Sequence, residues 1–231
     1  MRAEILNPAD HGRLRLRAAS AAAAHFVQIV TGEFAAAATA CPILITKEAT
    51  TGEFYAGAML GFKPGEPLKT STADRAGFEP LNFVRDGFFI SGDRIAIDRD
   101  NPRFSETVGE PLFDDGQQPG VHLRRIQRAL ADLHDGVERT KQFIQVLVKL
   151  KLVEPIDISL RFDDGESLSL QGLYSVSLDA LRALPDAEAL QLFRSGYLQL
   201  AYTMNISLGQ INVLAHLRNS RTLQAGTAAA V

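Results

Sequence analysis

The chain has 231 residues, of which 46% are hydrophobic and 22% are charged, a globular composition that excludes a disordered protein. Lysine and arginine number 24 against 27 acidic residues, for a formal net charge of -3. This balance excludes a strong overall electrostatic field that would attract phosphate backbones or anionic lipid. We therefore expect no nucleic-acid partner.

The N-terminal segment resembles a signal peptide only weakly. A basic stretch at residues 13–17 precedes the alanine-rich residues 18–24, but Glu4 and Asp10 come before it and no leucine-rich core follows. The chain also lacks a run of about 18 uncharged apolar residues, the length needed to span a bilayer. We therefore expect a cytoplasmic protein without a membrane span.

Short strands and one long loop are predicted in the first half of the chain. Residues 42–47 and 53–62 flank a glycine- and threonine-containing segment and predict an antiparallel hairpin. The single cysteine, Cys41, directly precedes this hairpin and is interpreted as a buried thiol. Residues 63–80 show no apolar period and predict a long internal loop, either a lid or binding surface or a surface insertion. Residues 88–98 predict a second hairpin.

Two amphipathic helices are predicted after residue 120. Leu123, Ile126 and Leu130 repeat at intervals of three and four residues, which is typical of a helix with one buried face. Asp135-Gly136 interrupts this pattern, and a second helix is predicted to continue until Glu154-Pro155 ends it.

Period-two alternation on both sides of Asp163-Asp164-Gly165 is the strongest local signal in the chain. It predicts a β-hairpin formed by residues 156–162 and 168–176. Ser177 is predicted to cap the next helix, and further helices extend to about Leu217.

The order of these elements predicts the fold class. Helices and antiparallel hairpins occur in segregated runs, without the strand–helix rhythm of a parallel sheet. We therefore expect an α+β fold in which an antiparallel sheet packs against several amphipathic helices and the C-terminal part is mainly helical. The expected organisation is a single domain over residues 1–218, with the long loop 63–80 inside it and a flexible tail over 219–231.

Motifs of known chemistry are absent from the sequence. The five histidines form no pair with metal-ligand spacing, and neither a phosphate-binding glycine motif nor a nucleophile elbow occurs. The sequence therefore predicts no metal and no cofactor. It leaves open whether the protein is an enzyme, because catalytic residues can be scattered along a chain and meet only in the fold.

Six polar residues are candidates for binding: His11, Glu33, Arg85, Arg124, Arg125 and Arg128. The histidine and the glutamate lie beside apolar runs, where the alternative interpretation is capping or buried hydrogen bonding. The last three arginines lie on one helix and could bind an acidic partner, or could simply form a solvated face.

Six short motifs, in this order, carry a resemblance to a known family: Leu6-Asn7-Pro8 with His11, Glu33-Phe34, Cys41-Pro42-Ile43, Met59-Leu60-Gly61-Phe62, Pro111-Leu112-Phe113-Asp114, and Asp164-Gly165 leading to Gly172-Leu173-Tyr174-Ser175-Val176. Together they resemble the bacterial SapC family, over roughly residues 5–218. The tryptophan and the aromatic-proline-arginine stretch common in the middle of the family are missing, and Gly77-Phe78-Glu79-Pro80 and residues 84–88 stand there instead.

The resemblance implies a choice of functions but supplies no active-site residues. SapC proteins are associated with bacterial surface layers, and many relatives resemble cytosolic accessory proteins encoded near outer-membrane receptors, flavin-dependent halogenase-like proteins and cupin-like oxygenases. The favoured hypothesis is a non-catalytic binding or accessory protein that acts on a protein or peptide partner. The alternatives are an enzyme or enzyme subunit of oxidative modification and a surface-layer-associated protein.

Overall fold

The structure is a computed structural model that describes residues 3–17, 24–69, 73, 75–115 and 117–229. Its strands are β1 Ala3–Ile5, β2 Arg15–Leu16, β3 Phe26–Gln28, β4 Ile43–Lys47, β5 Phe54–Met59, β6 Gly61–Lys63, β7 Glu66–Pro67, β8 Phe88–Ser91, β9 Arg94–Asp98, β10 Phe104–Ser105, β11 Glu110–Pro111, β12 Val153–Arg161 and β13 Ser167–Val176. Its helices are α1 Pro8–His11, α2 Phe34–Ala38, α3 Leu81–Val84, α4 Val121–Lys149, α5 Leu178–Arg182, α6 Asp186–Arg194, α7 Tyr197–Ser207 and α8 Gln210–Ala229, with a 3-10 turn at Thr31–Glu33. Antiparallel sheets with several helices confirm the predicted α+β class.

The chain divides into two compact units that are interleaved in sequence. Unit one takes residues 1–21 and 79–135, and unit two takes residues 22–78 and 136–231. Helix α4 contributes its first half to unit one and its second half to unit two. A single domain over residues 1–218 stays a prediction. In the described part of the chain, no helix has both the length and the apolar character needed to cross a membrane.

Unit one is built on two small antiparallel sheets, with the strand orders β1-β9-β8 and β10-β2-β11. The pairing of β8 with β9 confirms the predicted second hairpin. The first half of α4 presents its leucine and isoleucine positions to this core, as their spacing predicts. The buried side chains include Phe88, Ile97, Leu112, Leu123 and Ile126.

Unit two contains a five-stranded antiparallel sheet with the order β12-β13-β4-β5-β3. Both predicted hairpins, β4-β5 and β12-β13, are confirmed. Gly165 has a φ of +86° in the turn between β12 and β13, a left-handed conformation that glycine adopts without steric cost. Pro155 lies within β12, which is an edge strand of the sheet, the place where proline is tolerated.

The C-terminal helices pack against the sheet of unit two. Leu208, Ile211 and Leu214 contact the cluster that contains Leu44 of β4. At the end of α7, the buried Ser207 hydroxyl accepts the backbone N–H of Ile43 at 2.8 Å, which joins this helix to the sheet.

Two helix predictions near the C-terminus are corrected in detail. The helix expected to run through residues 198–217 is divided into α7 and α8 at Leu208 and Gly209. Helix α8 then continues to Ala229, beyond the predicted end near Leu217. Flexibility of residues 219–231 stays a prediction. Ser177 does cap α5, since its side chain accepts the N–H of Ala180.

The predicted break at Asp135-Gly136 is wrong, because α4 continues through both residues without interruption. Gly136 is buried, and a Cβ atom added there would lie only 2.6 Å from Cγ2 of Val30. Beside this contact the Thr140 hydroxyl accepts the N–H of Thr31 at 2.9 Å. The glycine therefore permits a close approach between α4 and the turn at residues 30–33.

The long loop contributes to the interior of unit two. Leu68, Lys69, Arg75 and Phe78 are all buried, and β6 pairs with β7 at its start. Residues 70–72 and 74 lie outside the described residues. The described part of the loop is therefore packed into the unit, and a role as a lid or binding surface stays a prediction.

Replacing Gly136 tests the close approach. Gly136→Ala should lower the free energy of unfolding by about 1–3 kcal/mol, the usual cost of forcing an extra carbon into a packed contact. This loss should appear although alanine is the better helix former by roughly 1 kcal/mol. Urea unfolding followed by circular dichroism measures the change.

Gly32→Ala is the matched control, because a Cβ atom at Gly32 would meet nothing within 4 Å. This variant should unfold within about 0.5 kcal/mol of the wild type. Combining Gly136→Ala with Val30→Ala should cost less than the sum of the two single changes, because the second change removes the obstructing side chain. Full stability of Gly136→Ala would contradict the close-approach explanation.

Candidate functional site

His11 is buried and bonded to its own neighbourhood. Its Nδ1 atom lies 3.1 Å from the carbonyl oxygen of Asn7, and its Nε2 atom lies 3.2 Å from a carboxylate oxygen of Glu4. Asn7 also caps α1 by accepting the N–H of Asp10 at 2.9 Å. The histidine therefore helps to fix the first turn of unit one.

Glu33 has a similar local part in unit two. It is buried, and its Oε2 atom accepts the backbone N–H of Val30 at 2.9 Å, which closes the 3-10 turn. This turn is the one that contacts α4 at Gly136. The hydrogen bonds of both residues are of the capping and buried kind, and a binding role for either residue stays a prediction.

The other four candidates are arginines of unit one. Arg85 is half-buried and donates from Nε to the Asn82 side chain at 2.9 Å. Arg124 and Arg128 are exposed on α4, and Arg124 donates to the carbonyl of Pro119 at 2.7 Å. Arg125, on the same exposed face, forms an ion pair with Glu79.

Arg125 differs from the other candidates because it lines a cleft of about 390 Å³ in unit one. The cleft lies among strands β2 and β11, helix α4 and the segments before α3 and β10. Its charged lining has both signs, with three arginines and two glutamates. The lining residues are Leu16, Arg17, Glu79, Val84, Arg103, Gly109, Glu110, His122, Arg125 and Ile126.

Arg103 is the deeply placed cation of this cleft, with only 7% of its surface exposed. Its Nη1 atom donates to the carbonyl oxygens of Phe83, Val84 and Asp86 at 3.2, 3.2 and 2.8 Å. Its Nε atom is fully buried and has no hydrogen-bond partner among the described residues. The guanidinium is thus held by one nitrogen while another donor stays unused.

Burial lowers the pKa of Arg103, and the nearby cation Arg125 lowers it further. The carboxylates of Asp86 and Glu79 act in the opposite direction and raise the pKa. Arginine nevertheless keeps its charge at neutral pH, because its ordinary pKa exceeds 12. Arg103 is therefore suited to holding an anion and unsuited to taking up a proton.

Arg17 and Arg125 lie at the exposed side of the cleft. The guanidinium of Arg17 donates to the carbonyl of Pro102 and to the hydroxyl of Ser105, both at 3.4 Å. These long contacts and the exposed ion pair of Arg125 are weak interactions that a ligand can replace.

Sequence reasoning found Arg125 but missed Arg17, Arg103 and His122. In the sequence Arg103 is only a loop residue after the turn signal Asn101-Pro102. Its acceptors are backbone carbonyls at residues 83–86, and backbone acceptors have no residue-type signature. No local pattern could have identified it.

Unit two has a different concentration of charge around Cys41. Burial raises the pKa of this thiol to about 12, with Lys69 and Arg75 lowering the pKa and Glu33 raising it. Lys69 donates a hydrogen bond to the carbonyl of Ala40 beside the cysteine. The thiol stays protonated at neutral pH and is therefore a poor nucleophile, as the buried position predicted from the sequence implies.

Histidine, cysteine and carboxylate side chains in the described ranges do not gather in groups of three that could hold a metal ion. Three carboxylates of unit two instead surround Arg218 of α8. Arg218 is 5% exposed, and its guanidinium lies 3.3 Å from both Glu66 and Asp164 and also contacts Glu166. The same group stacks 3.8 Å from the ring centre of Phe162.

This ion cluster predicts a dependence of stability on pH. The N–H of Glu166 and then Arg218 lower the pKa of Asp164, while Lys63 and then Arg218 lower the pKa of Glu166. Carboxylates with lowered folded pKa values stabilise the protein above their unfolded values, and that contribution is lost as the pH falls through the folded values. Urea unfolding should therefore show a fall in stability below about pH 4.

Arg218→Met should be less stable near neutral pH and should lose less further stability on acidification, because the carboxylates no longer face a guanidinium. Arg182→Met is the control, since among the described residues Arg182 pairs only with the exposed Asp179, and its loss should change neither quantity. Identical acid sensitivity in the wild type and Arg218→Met would contradict the assignment to this cluster.

The family of the chain follows from a comparison with family models. The SapC model matches residues 6–214. The chain belongs to the SapC family. The match includes every residue that lines the unit-one cleft and ends before Arg218. Searches among curated proteins and among solved structures gave no significant match.

Proposed function

We propose that this SapC-family protein is a non-catalytic binding protein that acts on a protein or peptide partner through the cleft of unit one. The observation that carries the proposal is the presence of three arginines on one cleft, Arg17, Arg103 and Arg125. Arginine is a permanent cation with planar donors that match acidic groups, so it serves recognition better than proton transfer.

The three arginines differ in what they can contribute to binding. A charge-assisted hydrogen bond in a buried position is worth about 1.5–3 kcal/mol, whereas an exposed ion pair is worth about 0.2–1 kcal/mol. Arg103 therefore supplies the stronger contact, while Arg17 and Arg125 attract and orient the acidic group at the exposed side. Added salt should weaken the exposed contacts most.

Charge reversal at the exposed side tests the proposal. The full chain, fluorescently labelled, is incubated with a bead library of short random peptides that are attached through their N-termini, and the sequences on bright beads are read. The wild type should select peptides enriched in aspartate and glutamate. The double variant Arg17→Glu/Arg125→Glu should bind the selected peptides about fivefold or more weakly, because two attractive exposed pairs become repulsive.

Arg161→Glu is the matched control, because Arg161 is an exposed arginine on β12 of unit two and undergoes the same change of charge. It should bind the selected peptides as the wild type does. Selection without acidic enrichment, or equal binding by the double variant and the wild type, would refute the proposed function.

A further inference from the structure

Burying an arginine has a large energetic cost, and proteins usually offset that cost with a carboxylate. Arg103 is buried, yet among the described residues its guanidinium makes no ion pair and its hydrogen bonds go only to neutral carbonyls. The two nearest acidic residues have partners elsewhere: Glu79 pairs with Arg125, and Asp86 accepts the side-chain N–H of Asn101 at 3.2 Å. Arg103 therefore makes no ion pair within the described part of unit one, and the carboxylates of Asp86 and Glu79 act on it only at a distance.

The bonds of Arg103 also determine which part of its guanidinium can take a ligand. All three carbonyl contacts use Nη1, whereas Nε has no partner among the described residues. Nε is enclosed by protein, whereas Nη2 has no hydrogen-bond partner among the described residues and is not among the fully buried atoms. Three carbonyls hold the group at Nη1, so Nη2 is preorganised to donate to a carboxylate in the cleft.

The charges that line the cleft favour a single negative charge on the ligand. Arg17, Arg103 and Arg125 supply three positive charges and Glu79 and Glu110 supply two negative charges, so these five residues leave one positive charge. A carboxylate carries one negative charge. A phosphate group carries about 1.5 to 2 negative charges near neutral pH, because its second pKa is roughly 6.

We propose that Arg103 anchors a peptide carboxylate through its Nη2 atom, with Arg17 and Arg125 at the exposed side of the same cleft. This inference rests on the proposed function and names the acidic group that the cleft recognises. The carboxylate belongs either to a peptide C-terminus or to an aspartate or glutamate side chain. Both sources present the same acceptor oxygens to the guanidinium.

The Nε–H signal of Arg103 in the NMR spectrum of the full chain, labelled with ¹⁵N-arginine, tests this directly. Three alanine-based peptides are titrated: one with a free C-terminus, one amidated with a central aspartate, and one amidated and neutral. At least one carboxylate peptide should shift the Arg103 signal to saturation, and the neutral peptide should leave it unchanged. The responding peptide identifies the source of the carboxylate.

Arg103→Lys keeps the charge but removes the planar guanidinium and its Nη2 donor, and it should bind the responding peptide about tenfold or more weakly, the size of one charge-assisted hydrogen bond. Arg99→Lys is the control, because Arg99 pairs with the exposed Glu106 and does not line the cleft. Since Arg103→Lys could fail to fold, the wild-type NMR titration is read independently of it.

An Arg103 signal that stays unchanged with both carboxylate peptides, or that moves only with inorganic phosphate, would overturn the inference. The proposed function can survive that result if the bead selection still yields acidic peptides that the Arg17→Glu/Arg125→Glu variant fails to bind. Selection without acidic enrichment, together with an unchanged Arg103 signal, would refute both.

Discussion

Unit one depends on how a guanidinium is accommodated in its interior. Arg103 precedes β10, and its three hydrogen bonds reach the carbonyls at the end of α3 and just beyond it. These bonds join two irregular segments that have little regular secondary structure to hold them. The cleft wall between β10 and α3 therefore forms where a buried cation replaces the missing sheet and helix hydrogen bonds.

Arg103 and Arg218 represent two different ways of burying the same residue type. Arg218 is surrounded by carboxylates and an aromatic ring, so its charge is matched inside unit two and the cluster is explained by stability. The guanidinium of Arg103 donates only to neutral carbonyls, so the described residues stabilise its charge without an ion pair. A buried arginine without an ion pair, such as Arg103, is more informative about ligands, because an acidic group from outside would improve its environment.

The hairpins and the amphipathic start of α4 were predictable because their signals are local. Alternation with period two, a turn glycine and apolar residues at intervals of three and four are all contained within about a dozen residues.

The helix break predicted at Gly136 was wrong because the contact that decides it is not local. A glycine in a helical pattern indicates either an end or a close contact, and the deciding atom belongs to Val30, more than a hundred positions earlier in the chain.

The sequence by itself determined the α+β class, the hairpins and the membership of the SapC family. It also identified Arg125 as one of several surface arginines. Only the tertiary structure decided that Arg125 shares a cleft with Arg17 and Arg103, and that His11 and Glu33 serve local hydrogen bonding. The reason is that local structure follows from neighbouring residues, whereas a binding site depends on side chains and backbone carbonyls that meet from distant parts of the chain.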